Sequence, residues 1–252
     1  MSNKYKLLLL DVDGTTVASS AEALPSEAVI KAVQEAQKHL HVSLATGRPI
    51  QLAKPVIDAI GLHGLGVFKG GAEIIDIVSG KVVFTQRIAV ANMRETVKLA
   101  LPFGFKIYAC DDHGKTLVTS PSQVVKPAAN ILITAVKTSD AVGLLEELAA
   151  VKGIIAHPAS SWETGDIVDI HVTHEYATKR HSAERLMAML DCKKEEVIAI
   201  GDGHNDIPLL EVAGFKVAMG NSPDEVKAIA DYVAPSLEDD GVADAIKRFI
   251  LA

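Results

Sequence analysis

Leu7-Leu8-Leu9-Leu10-Asp11-Val12-Asp13-Gly14-Thr15 decides the reading of this chain. Tyr5–Leu10 is a continuous apolar run, the pattern of a strand buried on both faces of a parallel sheet. Two carboxylates follow at once. In an extended chain Asp11 and Asp13 point to one side and Val12 to the other. Ligands of open α/β sheets bind outside the carboxyl ends of the strands, which is where both acids fall. An ionised carboxylate there can act as a nucleophile toward phosphorus. The competing reading is a turn made by Asp-Val-Asp-Gly. An EF-hand is excluded, because Gly14 stands at position 4 of the stretch rather than 6.

Outward from this stretch, strands and helices alternate. Ser26–Leu40 carries an apolar stripe at Val29, Ile30, Val33, Ala36 and Leu40, the mark of an amphipathic helix. His41–Ala45 reads as a strand, and Pro49 opens a helix running to about Ile60, with Gly61 at its end. Gly61-Leu62-His63-Gly64-Leu65-Gly66 reads as a turn; it does not match GxGxxG. Near the C-terminus Val197–Ile200 and Phe215–Met219 read as strands, and Asn205–Ala213, Pro223–Ala230 and Ala243–Leu251 as helices. Such alternation predicts βαβ units and a doubly wound, Rossmann-like, mostly parallel sheet. The middle breaks the rhythm. A hairpin turning at Ser79–Gly80 leads into strands and helices without regular order, so residues 83–174 are expected to form an α+β module. It would be inserted into an α/β core made of 1–82 and 175–252.

Three further stretches carry chemistry. Gly201-Asp202-Gly203-His204-Asn205-Asp206 places acids after a strand, flanked by glycines that let backbone approach a ligand. Hard oxygen donors of this kind suit Mg²⁺; capping of the next helix by Asp206 is the alternative. Thr46-Gly47-Arg48-Pro49 sets a hydroxyl and an amide where a helix begins, a favourable place for an anion, or for a threonine N-cap. Lys179 heads the helix Arg180–Leu190, against the positive end of its dipole. A nearby anion would explain it, and so would simple solvation at the surface.

Composition narrows the partners. In 252 residues, 25 Lys and Arg stand against 32 Asp and Glu, a net charge of −7. That balance argues against nucleic acid or an anionic membrane as partner. Cys110 and Cys192 form no CxxC pair and fit a reducing compartment. The apolar run Leu7–Leu10 is too short for a signal peptide core or a membrane span, so a cytoplasmic location is expected. The sequence lacks GxxxxGK[ST] and GxSxG, which leaves P-loop nucleotide binding and the usual serine hydrolase elbow unsupported. His171 and His174 lack a third zinc ligand at a recognised spacing. Trp162, His113 and Lys126 in the insert are conceivable substrate contacts, or ordinary polar loop residues.

Taken together, Asp-x-Asp-Gly-Thr and the later Gly-Asp-x-x-Asn-Asp make the chain resemble, over essentially its whole length, the haloacid dehalogenase (HAD) superfamily of phosphatases. The resemblance is to the Cof-like branch, with a large C2-type cap inserted after the third core strand. It implies Asp11 as nucleophile and Asp13 as general acid, then base; on physical grounds the acidic neighbours of Asp13 are expected to help it hold its proton. It implies Mg²⁺ held by Asp11, Asp13 through its main-chain carbonyl, and Asp202. Asp206 and Asn205 would support metal and phosphate, and Thr46, Gly47 and Lys179 would bind phosphate. The substrate would be a small phosphorylated metabolite, a phosphosugar or phosphoglycolate-like compound, with the insert closing as a lid. A sugar phosphomutase and a phosphate-binding protein without turnover are the alternatives. One departure stands out: Gly70-Gly71-Ala72 where relatives often carry Asn-Gly-Ala; Thr16 in place of a common Leu is a change expected to be tolerated.

Overall fold

A computed structural model describes residues 4–20, 22–111, 114–160 and 166–252. It divides into two compact units, Met1–Phe84 with Thr178–Ala252, and Thr85–Ala177.

The first unit is built on five parallel strands in the order Tyr232–Val233, Phe215–Ala218, Val197–Gly201, Leu7–Leu10, His41–Leu44. The α/β fold read from the sequence is therefore the fold observed. All four residues of Leu7–Leu10 are fully buried, because alternation sends them to two covered faces. Leu8 and Leu10 pack with Val29 and Val33 of helix Glu27–Ala36, Val56 of helix Ile50–Ile60 and Ile246 of helix Gly241–Phe249. Leu7 and Leu9 pack with Leu186 of helix Lys179–Met189 and Leu209 of helix Ile207–Val212. Burial of each leucine is worth roughly 1.5–3 kcal/mol, so an acid is tolerated only past the strand's end. Local signals set the helix ends. The Ser26 side chain accepts the Val29 N–H at the start of the first helix, and Gly61, at φ 69°, closes the second.

The turn expected over Gly61–Gly66 ends earlier than the sequence suggested. Leu65 and Gly66 open a strand, Leu65–Phe68, antiparallel to Glu73–Asp76 in a three-stranded sheet completed by Val82–Thr85. It meets the parallel sheet through one bridge, Ala45 with Val67. Gly66 belongs to a strand because the Phe68 ring folds over it and occupies the space a Cβ would need. The hairpin after it turns where expected, with Gly80 at φ 68° and its N–H on the Asp76 carbonyl at 2.8 Å.

The second unit is an antiparallel sheet in the order Gly114–Val118, Lys106–Asp111, Asn130–Lys137, Ile167–His174, Ile154–Ser160. Ile107, Ile131, Ile133, Ile170 and Val172 pack with Met93 and Val97 of helix Val90–Ala100 and Leu144 of helix Thr138–Ala149. That is an α+β module with its own core. Among the described residues no helix is long and apolar enough to cross a membrane.

Candidate active site

The strand order reverses at Leu7–Leu10. One connection runs to His41–Leu44 on one side, while Val197–Gly201 lies on the other. The carboxyl ends of the two strands flanking a switch point form a ligand crevice, and both acidic stretches begin there. The Asp11 N–H continues the ladder to the Ile200 carbonyl at 3.0 Å. Beyond it the chain turns at Gly14, φ 84°, whose missing side chain makes room for the Asp202 carboxylate. Thr15 Oγ1 donates to Asp202 Oδ1 at 2.9 Å. Asp206 is fully buried and accepts the N–H groups of Gly203 at 3.0 Å and Asp202 at 3.3 Å. Its side chain thus reaches back into its own turn and does not cap helix Ile207–Val212.

Ligand atoms of Asp11, Asp202 and Asp206 all lie within 4.8 Å of one another. Lys179 enters this group from the first position of helix Lys179–Met189, whose N-cap is the Thr178 hydroxyl. Its Nζ is 2.5 Å from Asp11 Oδ1 and 2.5 Å from Asp206 Oδ1. The reading of Lys179 as a solvated surface residue fails: it is only 6% exposed. Burial pushes the Asp11 carboxyl up to about 7, with Lys179 opposing and Asp206 adding to the rise. Burial also raises Asp202, against the Thr15 hydrogen bond. For Lys179 burial works downward, but Asp11 and Asp206 together hold its ammonium above the usual lysine range. One ammonium among three carboxylates leaves two negative charges, and every anionic donor is a hard oxygen. That composition fits a divalent cation such as Mg²⁺.

A second corner is built from Thr46, Gly47 and Arg48. Thr46 is fully buried. Its N–H bonds the Val67 carbonyl at 3.0 Å, and its Oγ1 accepts the Arg48 N–H at 3.0 Å. It is not the helix N-cap; that place falls to Pro49, without a side-chain cap. Gly47 is exposed, with nothing within 4 Å of where a Cβ would stand. Arg48 forks onto Asp13, Nε to Oδ2 at 3.0 Å and Nη2 to Oδ1 at 2.5 Å, and also donates to the carbonyls of Ser20 and Leu52. The acidic surroundings expected for Asp13 are therefore not what faces its carboxylate: a guanidinium does. The Asp13 side chain also stands outside the three-carboxylate group, leaving its main-chain carbonyl as the atom it could offer a metal. Sequence reasoning missed Arg48, whose signal was an arginine inside a short strand-to-helix turn.

Between the two corners lies the turn Lys69–Gly71. Lys69 and Gly70 donate their N–H groups to the carbonyls of Arg48 and Thr46, at 3.0 and 2.9 Å. On the other side Ser182 Oγ donates to the Gly71 carbonyl at 2.5 Å. Gly71, at φ 106°, presses on the Thr178–Lys179 peptide so closely that no Cβ would fit, whereas Gly70, at φ 67°, faces open space. Lys69 holds the buried Glu73 carboxylate at 2.6 Å.

The remaining candidates separate. Asn205 is exposed, its Oδ1 lying over Gly203. His171 faces His157 across the antiparallel ladder, ring centres 6.0 Å apart, while His174 packs on Tyr176. Residues three apart in a strand lie on opposite faces, so His171 and His174 do not converge. Lys126 pairs with Asp111 at 2.5 Å. His113 and Trp162 lie outside the described residues.

Comparison with known proteins agrees with this architecture. Residues 8–130 and 125–246 match the family of haloacid dehalogenase-like hydrolases. A 5-amino-6-(5-phospho-D-ribitylamino)uracil phosphatase of Bacillus subtilis is 28% identical over 261 residues, covering 98% of this chain and 96% of that protein. A phosphoglycolate phosphatase of Methanosarcina mazei is 26% identical over 246 residues, covering 97% and 96%. The crystal structure of a haloacid dehalogenase-like hydrolase from Bacteroides thetaiotaomicron superposes with a TM-score of 0.78 at 25% identity, covering 97% of this chain and 99% of that one. The chain belongs to the haloacid dehalogenase-like hydrolases, in the Cof-like branch that its motifs resemble, and is an enzyme.

Proposed function

We propose that this phosphatase hydrolyses a small phosphomonoester in two steps through a phosphoryl group carried on Asp11, with Mg²⁺ as cofactor. The observation that carries the reading is the meeting of buried Asp11, Lys179 and Asp206 with half-buried Asp202 at the switch point of the sheet. In the first step an Asp11 oxygen bonds phosphorus as the ester oxygen departs, and Asp13 gives that oxygen its proton. In the second Asp13 takes a proton from water, the water oxygen bonds phosphorus, and Asp11 is released with inorganic phosphate. Bringing a phosphate to a carboxylate is opposed by charge, roughly 4 kcal/mol for one like-charged pair at 4 Å and an effective dielectric of 20. Lys179 offsets part of this, and Thr46 and Gly47 offer a hydroxyl and an amide to the phosphate oxygens. Asp11, Asp202 and the Asp13 carbonyl would hold Mg²⁺, steadied by Asp206 and Asn205. The ion, when bound, supplies charge neutralisation at the transferring group. Arg48 fixes the direction of the Asp13 carboxylate through a bidentate fork.

Two relatives whose names specify small phosphomonoesters align along nearly all of this chain, which supports a phosphorylated metabolite as substrate. We assign its selection to a cap formed by the inserted module. We place the reaction in the cytoplasm, in keeping with Cys110 and Cys192 lying far apart in the sequence and forming no CxxC pair. The test is phosphate release from p-nitrophenyl phosphate and from a panel of sugar phosphates and phosphoglycolate. Turnover is expected with Mg²⁺, to vanish with EDTA, and to vanish in Asp11→Asn while the circular dichroism spectrum is unchanged. Turnover by Asp11→Asn near the wild-type rate refutes the nucleophile; an isomeric sugar phosphate as product means a mutase.

A further inference from the structure

We infer that Thr16 is a positioning residue for the nucleophile, acting through the main-chain carbonyl of Asp11; the inference rests on Asp11 being the attacking group. On its N-terminal side Asp11 is held by the sheet, its N–H on the Ile200 carbonyl. On its C-terminal side the ladder has ended, the last paired positions being Leu10 with Ile200 and Leu10 with Leu44. The chain then winds into a small closed loop. Thr16 and Val17 donate their N–H groups to the Val12 carbonyl, both at 2.9 Å, and Gly14 donates to the Val17 carbonyl at 2.8 Å. These bonds make the loop rigid within itself without joining it to the Asp11 peptide. That joint is the Thr16 hydroxyl, which donates to the Asp11 carbonyl at 2.6 Å.

Burial makes the bond hard to replace. Thr16 is 1% exposed and Asp11 3%, so water has little access to the carbonyl once the hydroxyl is gone. With its acceptor unpaired, the Asp11–Val12 peptide loses its tie to the loop, keeping only the Val12 N–H on the Asp11 carboxylate itself, and can tilt. Such a tilt turns the Cα–Cβ bond of Asp11 and moves its carboxylate relative to Lys179 and Asp206. Displacement of a reacting atom by about 1 Å can cost about a hundredfold in rate. The neighbouring tie, Asn221 Nδ2 to the Gly14 carbonyl at 2.9 Å, is different: Asn221 is exposed, and water can take its place.

The experiment compares Thr16→Val, which removes the hydroxyl but keeps the β-branch, with Thr16→Ser, which does the reverse. Steady-state kinetics use p-nitrophenyl phosphate with saturating Mg²⁺, and rates are expressed per folded molecule from urea unfolding curves. Thr16→Val is expected to lower kcat at least tenfold, about 1.4 kcal/mol of barrier, with KM within twofold of wild type. Thr16→Ser is expected to stay within threefold on both. A role in packing alone predicts no kcat loss per folded molecule. The inference is overturned if Thr16→Val keeps kcat within threefold, or if Thr16→Ser is as slow as Thr16→Val. Should Thr16→Val not fold, Thr16→Ala replaces it: equal kcat for Thr16→Ala and Thr16→Ser overturns the inference, and a tenfold gap supports it. Asp11→Asn runs alongside. If it turns over normally, the nucleophile reading falls first and this inference with it, whereas an inert Asp11→Asn with unaffected Thr16→Val sinks only the role of Thr16.

Discussion

Lys179 and Arg48 are the two buried cations of the site, and they handle their carboxylates in opposite ways. Lys179 offers a compact ammonium to two acids at once, Asp11 and Asp206, and both stay within reach of Asp202. Arg48 grips one acid with two parallel bonds and keeps Asp13 apart from the other three. A point charge with rotatable donors can serve several oxygens; a planar fork fixes one carboxylate in direction. The geometry thus separates two arrangements among four similar acids: charge collected at one point, and a single carboxylate fixed in direction at another.

The sharpest way to break this comparison is Lys179→Met. It strands two buried carboxylates and removes the cation nearest Asp11, the proposed nucleophile. We expect kcat to fall by about 10²–10³ or more and, without Mg²⁺, stability to fall by about 3–5 kcal/mol in urea unfolding. Little change in either would mean that the ammonium is incidental. Arg48→Ala should cost less, about 10–100-fold in kcat, since Asp13 keeps its chemistry and loses its aim. Arg48→Lys should not restore the rate, because an ammonium cannot fork. A loss equal to that of Lys179→Met would erase the distinction between the corners.

Proton competition offers a finer test. Asp11 lies at about 7 in the metal-free protein, chiefly through burial, and only its ionised form is a ligand. Its folded value is above the unfolded one, so protons favour the metal-free fold as pH falls through 7. Mg²⁺ should therefore bind about tenfold more weakly for each unit of pH below 7. Calorimetry at pH 7 and pH 6 checks this, and the slope should flatten in Asp11→Asn. The smallest effect on rate is expected at the third cation. Lys69→Met leaves the 2%-exposed Glu73 carboxylate unpaired, costing roughly 1–3 kcal/mol of stability. Its kcat per folded molecule should stay within twofold; a larger loss would draw Lys69 into the site.

Much of this arrangement was readable from residues because the fold rule does the gathering. A run of four leucines ending in an acid states both a doubly covered strand and its carboxyl end, and Val197–Gly201 with Asp202 states the same again. The features that stayed hidden depend on partners distant in the chain. Lys179 and a solvated lysine look alike until Asp11 and Asp206 arrive from 168 and 27 positions away. Arg48 shows no preference for Asp13 in its own segment, because its partner lies 35 residues earlier. The strand Leu65–Phe68 was masked by two glycines, one of which is there for the Phe68 ring. Tyr232–Val233, two residues long, carries no periodicity at all.

The adjacent glycines at 70 and 71 have opposite value to anyone who would modify this protein. Position 71 is closed to every other amino acid by the Thr178–Lys179 backbone, while position 70 opens onto free space and differs only in handedness. Asparagine adopts that handedness readily, so Gly70→Asn is a graft the scaffold can accept. A side chain meant to report from beside Thr46 has room at residue 70, where the molecule has left a gap, provided it accepts a left-handed backbone.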